Sequence, residues 1–237
     1  MEDSKQRMAD LMKALQNDRL ISITIGSDPL HIQIQQTVLE AASAWFKNVL
    51  KHNSFVEGKS GKIDFPDDDP EAWKILACWI TTREFLTTCA DTTEDILVCA
   101  KCWILGDKYD IKPFQDEAMM ELIQSFNENS LDVENREQHQ ELEGILKLCR
   151  SGSKLAILLT EEITFSIDQN NGSSATWDSI GHMDVGHLWQ DFCNAHAKLV
   201  KDRDWEFSER LGYKGERVDS RPWWKDYMVG DKMYQSI

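Results

Sequence analysis

Two kinds of hydrophobic period divide the chain into a strand-bearing front and a helical remainder. Ile21, Ile23 and Ile25 alternate with Ser22 and Thr24, and Leu30, Ile32 and Ile34 alternate with His31 and Gln33. Gly26-Ser27-Asp28-Pro29 lies between the two runs. Period-two alternation on either side of a turn-forming tetrapeptide predicts a β-hairpin with one buried face. Ahead of it, Met8, Leu11, Met12 and Leu15 fall at i, i+3, i+4 and i+7. They make one apolar stripe on an otherwise polar helix, which needs a surface to pack against.

Behind the hairpin, Thr37 and Glu40 have capping-box spacing, and Val38, Leu39, Ala42, Trp45, Phe46, Val49 and Leu50 keep helical phase. They predict a strongly buried helix of about three turns. Lys62 to Phe65 reads as a short strand. Asp69-Pro70-Glu71 supplies a cap, a first-position proline and an early acid for the next helix, with Trp73, Leu76, Ala77 and Ile80 facing inward. Asp91-Thr92-Thr93-Glu94 is a second capping box, opening a helix through Ile96, Cys99, Ala100 and Trp103 that ends near Tyr109. Pro113 opens another, with Phe114, Ala118, Leu122 and Phe126 inward.

From Asn127 to Gln140 the chain is polar and charged, and a domain boundary is expected there. Leu142, Ile145, Leu146 and Cys149 then restore a helical stripe, Leu155 to Leu159 is apolar with no clear period, and Leu188, Trp189, Phe192, Ala195 and Leu199 mark a further helix. Asp168 to Gly186, rich in Gly, Ser, Asn and Asp, reads as loop. Arg221-Pro222-Trp223-Trp224 reads as loop pinned by its tryptophans. The expected organisation is an amphipathic helix over residues 1–18, a first domain over 19–128 and a mostly helical region over 129–237.

Composition narrows the function classes. The chain carries 26 basic and 41 acidic residues, a formal charge of −15, which disfavours binding to polyanionic nucleic acid. No basic stretch leads into an apolar run at the N-terminus, and no run approaches the roughly 20 apolar residues of a membrane span, so an intracellular, cytoplasmic or nuclear protein without a membrane segment is expected. Six cysteines at irregular spacing suit a reducing compartment and free thiols.

Ile21-Ser22-Ile23-Thr24-Ile25-Gly26 resembles the first strand and glycine turn of the BTB/POZ domain family. Val38 to Phe46 is similar to its "leucine, small residues, serine, x, aromatic-phenylalanine" helix, and Ile63-Asp64-Phe65-Pro66-Asp67-Asp68-Asp69-Pro70-Glu71-Ala72-Trp73 to the segment before its third helix, above all in fungal members. Ala100 through Tyr109 and Pro113-Phe114-Gln115-Asp116 resemble a later helix and the arm that follows it. The resemblance covers roughly residues 19 to 128. The tail resembles fungal members more weakly, through Gly152-Ser153-Lys154-Leu155 and Arg221 to Trp224. It implies an α+β fold, a small mixed sheet capped by helical hairpins, and an adaptor that binds other proteins rather than an enzyme. Gln35-Gln36 stands where the family carries a His-Lys pair, and Thr81 where it carries tyrosine. The charged groove lined by that basic residue is therefore not carried over.

Phe55-Val56-Glu57 resembles the hydrophobic-x-glutamate motif by which some members grip a cullin scaffold of a ubiquitin ligase; the competing reading buries Phe55 in the core and leaves Glu57 solvated. The stripe Met8, Leu11, Met12, Leu15 resembles the family's exchanged N-terminal extension and implies a homodimer, against packing within one chain. Cys99-Ala100-Lys101-Cys102 has zinc-like spacing without a second half-site, and reads as core. His182, Asp184, His187, Cys193 and His196 form the one polar group with metal or acid-base potential, so a metal-binding or enzymatic C-terminal region is the alternative of a different class. A transcriptional or cytoskeletal scaffold of the same fold is another alternative. No nucleophile elbow, phosphate-cradling loop or His-Glu-x-x-His helix occurs, and no cofactor is expected.

Overall fold

The computed structural model describes residues 18–51, 55–86, 93–128, 136–169, 180–201 and 223–230. These belong to two compact units, one within Met1–Leu86 and Lys108–Ile111, the other within Thr87–Asp107 and Lys112–Ile237. The protein is α+β, a three-stranded mixed sheet with many helices. Among the described residues no helix is long and apolar enough to cross a membrane.

In the first unit, β1 (Leu20–Ile25) and β2 (Leu30–Gln35) form the expected antiparallel hairpin, with Ile23 opposite Ile32. Strand β3 (Lys62–Phe65) runs parallel to β1, pairing Ile23 with Ile63, so the sheet order is β2-β1-β3. Alternation does what period two demands, since Ile21, Ile23, Ile25, Ile63 and Phe65 are all buried.

Two expectations about the next segment are corrected. The single helix is broken into α1 (Gln36–Ala42) and α2 (Ala44–Val49) at Ser43, which is extended at φ −151° and ψ 138°. Helical spacing continues through the break, but Ser43 Oγ accepts from Trp45 N at 2.9 Å and donates to the carbonyl of Tyr109, a residue 66 positions away. A buried hydroxyl that caps one helix and satisfies a distant carbonyl outweighs one more helical turn. The Thr37–Glu40 capping box does not form either. Helix α1 starts two residues earlier than that box implies, at Gln36, because the hairpin register brings Arg19 O within 2.8 Å of Gln36 N. Asp18 then accepts from Thr37 N at 3.2 Å and from its hydroxyl, while Glu40 accepts from Gln36 Nε2 at 2.6 Å.

Helix α3 (Val56–Ser60) precedes β3, and α4 (Pro70–Thr82) follows it. Its start is as the sequence predicts: Asp69 accepts from Glu71 N and Ala72 N, both at 3.0 Å, and Pro70 holds the first turn. Trp73, Leu76 and Ile80 are buried, and Ala77 is half-buried.

The second unit is helical. It contains α5 (Thr93–Lys108, whose last residue belongs to the first unit), α6 (Lys112–Glu128), α7 (Arg136–Leu148), α8 (Lys154–Gln169) and α9 (Trp189–Lys201). Short 3₁₀ turns cover Gly186–Leu188 and Trp223–Tyr227. Phe114, Ala118, Leu122 and Phe126 line the inner face of α6. The apolar run of unclear period is helical, and α9 packs on α8 through Phe192, Ala195 and Leu199 while Trp189 turns outward. Asp91 and Thr92 of the second capping box and most of the Gly/Ser/Asn loop lie outside the described residues, while Thr93 and Glu94 open α5.

Candidate interaction surface

Residues 55–61 form a braced projection on the first unit. Phe55 is extended at φ −134° and ψ 159°, and its carbonyl accepts from Lys59 N at 3.3 Å, closing the first turn of α3. At the other end, Gly61 turns the chain at φ +71° and its N–H donates to Glu57 O at 2.8 Å. Arg19 then caps the free carbonyls, donating to Gly58 O at 2.7 Å and Lys59 O at 2.9 Å. Helices this short are marginal on their own, so these outside donors hold the turn in place. Gly58 lets the turn seat closely: a Cβ there would lie 2.5 Å from the carbonyl oxygen of Lys51.

This mount carries two neighbouring apolar side chains in water, Phe55 at 52 % and Val56 at 77 % exposure. The reading that buried Phe55 in the core is therefore set aside, while Glu57 is half-exposed beside it. Scattered exposed apolar residues are ordinary, but an adjacent pair on a fixed turn has the form of a docking anchor. The local charge also departs from that of the whole chain. Glu57 is the one acid between residues 51 and 63, against Lys51, Lys59 and Lys62, with Arg19 folded over the end of the turn.

The first unit also holds a buried polar cluster that sequence reasoning did not single out. Asp68 is almost fully buried, and its Oδ2 accepts from Trp73 Nε1 at 2.7 Å and from the Tyr109 hydroxyl, while Lys108 Nζ lies 2.6 Å from Oδ1. Rings of Trp45, Phe46, Phe65 and Trp73 surround Tyr109 with centroids 4.9 to 5.6 Å away. Burial, then the hydrogen bond and charge of Asp68, raise the Tyr109 phenol far above its ordinary value. A phenol held neutral in this way serves as a fixed donor, not as an acid or base near neutral pH. Its one visible sequence signal is the acidic triplet Asp67-Asp68-Asp69, whose middle member turns inward.

No protein-family model matches the chain, and no curated protein matches it. The remaining candidates stand on their geometry. Met8, Leu11, Met12 and Leu15 lie outside the described residues. Cys99 and Cys102 are both buried within α5, and none of the described cysteines forms a disulfide. His182, Asp184, Cys193 and His196 are exposed, and His187 pairs its Nε2 with Cys149 O at 3.0 Å. Among the described residues no group of three or more His, Cys, Asp or Glu side chains is placed to hold a metal ion.

Proposed function

We propose that this chain is a non-catalytic protein-interaction adaptor of the BTB/POZ type, and that Phe55, Val56 and Glu57 form its docking anchor for a cullin scaffold. The observation that carries the reading is the exposed Phe55–Val56 pair on a turn fixed from both ends. Also in its favour is the order of elements, a hairpin, three short helices, a third strand parallel to the first and then helices. With one buried helix in place of those three, that is the order the sequence resemblance implies.

Affinity at such a surface comes from seating one aromatic side chain in an apolar pocket, and specificity from charge at the rim. With Lys51, Lys59 and Lys62 flanking the anchor, the complementary rim is acidic even though the adaptor itself is strongly acidic. The other surface in this reading is the stripe Met8, Leu11, Met12 and Leu15, which joins two chains as a homodimer of micromolar stability or better. Sedimentation at micromolar concentration tests that part, and a monomer mass would remove it.

The deciding experiment is calorimetric titration of the full chain with a cullin N-terminal domain. Binding is expected, with Phe55→Ala weakening it by about tenfold or more, as expected for loss of an interface anchor. No heat of binding at tens of micromolar, or equal affinity for wild type and Phe55→Ala, would overturn the assignment of this surface.

A further inference from the structure

Residues 223–230 of the second unit lie against α6 and α8, where Asp116, Lys154 and Glu161 make hydrogen bonds to them. Asp116 on α6 is 1 % exposed, and its two carboxylate oxygens accept separately from consecutive backbone N–H groups: Val229 N at 2.6 Å and Gly230 N at 2.9 Å. Lys154, at the start of α8, donates to the carbonyl of Asp226. Tyr227 is buried, and its hydroxyl donates to Glu161 Oε2 at 2.5 Å, an acid also held by Lys198 Nζ at 2.8 Å. Position 230 is read sterically as well, because a Cβ there would stand 2.7 Å from Asp116 Oδ2.

We infer that the surface between α6 and α8 is a peptide-binding site for a Tyr-x-x-Gly segment, occupied in this structure by the chain's own tail. Four features of the segment are recognised: the carbonyl of Asp226, the phenol of Tyr227, two successive N–H groups, and the missing side chain of Gly230. A carboxylate accepting from two adjacent backbone N–H groups makes charge-assisted hydrogen bonds, roughly twice as strong as neutral ones, that depend on the backbone and not on the side chains of the segment it holds. Residues 202–222, 21 in number, connect α9 to the segment. That tether reaches up to about 70 Å when extended, so its length does not confine the tail to its own site. The free form of the same ligand is the tail of a second copy, which competes against a tethered occupant present at an effective concentration on the order of millimolar.

The site is tested on the full chain with a fluorescent peptide of residues 221–232 as the probe, read by anisotropy. Wild type, with its site filled, should bind the peptide weakly. Gly230→Val displaces the chain's own tail and should tighten binding of the wild-type peptide by at least tenfold, consistent with removal of a tethered competitor. Adding Asp116→Ala to Gly230→Val should abolish that gain, and a peptide with Tyr227→Phe should bind the single variant more weakly. Equal peptide affinity for wild type and Gly230→Val overturns the inference. So does a gain that survives Asp116→Ala. Loss of cooperative thermal unfolding in Gly230→Val would also overturn it, because the segment would then be a fixed part of the core. None of these outcomes depends on the docking anchor at Phe55.

Discussion

Asp68 offers a test in which two substitutions at one position must behave differently. Both buried donors, Trp73 Nε1 and the Tyr109 hydroxyl, converge on Oδ2, while Oδ1 faces only Lys108, whose side chain is half exposed. Asparagine with its carbonyl oxygen in the Oδ2 position keeps both buried bonds and loses only the Lys108 pair, which its amide then opposes as a second donor. A pair with one half-exposed partner is worth about 1 kcal/mol or less, so Asp68→Asn should cost about that much. Alanine strands two donors in the interior, at roughly 1–3 kcal/mol each, so Asp68→Ala should cost about 3–5 kcal/mol. Trp73 and Tyr109 are 0 % exposed, so in the wild-type fold neither donor has bulk water as an alternative acceptor.

The assay is hydrogen exchange at the β1 amides, which reports opening of the first unit without assuming that both units unfold together. Asp68→Ala should speed exchange at Ile21, Ile23 and Ile25 by more than about a hundredfold, and Asp68→Asn by no more than about tenfold, at roughly 1.4 kcal/mol per decade. If the two variants exchange alike, the division of labour between the carboxylate oxygens is wrong. If Asp68→Ala stays within tenfold of wild type, the cluster does not hold the unit together.

Three further outcomes follow from the same contacts. Ser43→Ala removes the α2 cap and the bond to Tyr109 O, and should lower stability by about 1–3 kcal/mol in a urea titration, with Ser43→Thr recovering part of it. Gly58→Val should disturb the seat against the Lys51 carbonyl and, on the proposed docking role of Phe55, weaken cullin-domain binding with Phe55 itself unchanged, as read by the same titration calorimetry. Burial, and then the negative charge of Asp191, push the Cys149 thiol up to about 12 from an ordinary 9.0. The folded protein therefore keeps a proton that the unfolded chain releases, so this contribution to stability is full below pH 9 and falls as pH rises toward 12. Alkaline denaturation should be milder in Cys149→Ala, and a maleimide at neutral pH should label exposed Cys193 well before Cys149.

Local chemistry determined a good part of this architecture. The alternating isoleucines placed the hairpin, Asp69-Pro70-Glu71 placed the start of α4, and the apolar stripes placed the inner faces of α6 and α7, because each signal acts within one or two turns of the chain. The tertiary structure alone decided what depends on distant partners. Helical spacing runs through Ser43 without a mark, and only the carbonyl of Tyr109, 66 residues on, breaks the helix there. Thr37 reads as a cap until the hairpin register sets Asp18 beside it. Three consecutive aspartates look alike in sequence, yet one reaches Tyr109 across 41 residues and is buried. The sequence of Phe55 and its neighbours favours core over anchor, yet on the turn seated by Gly58 and Arg19 it stands in water. Asp116 meets Gly230 across 114 residues, a separation at which no period or capping rule carries information, because the contact is set by how whole helices pack.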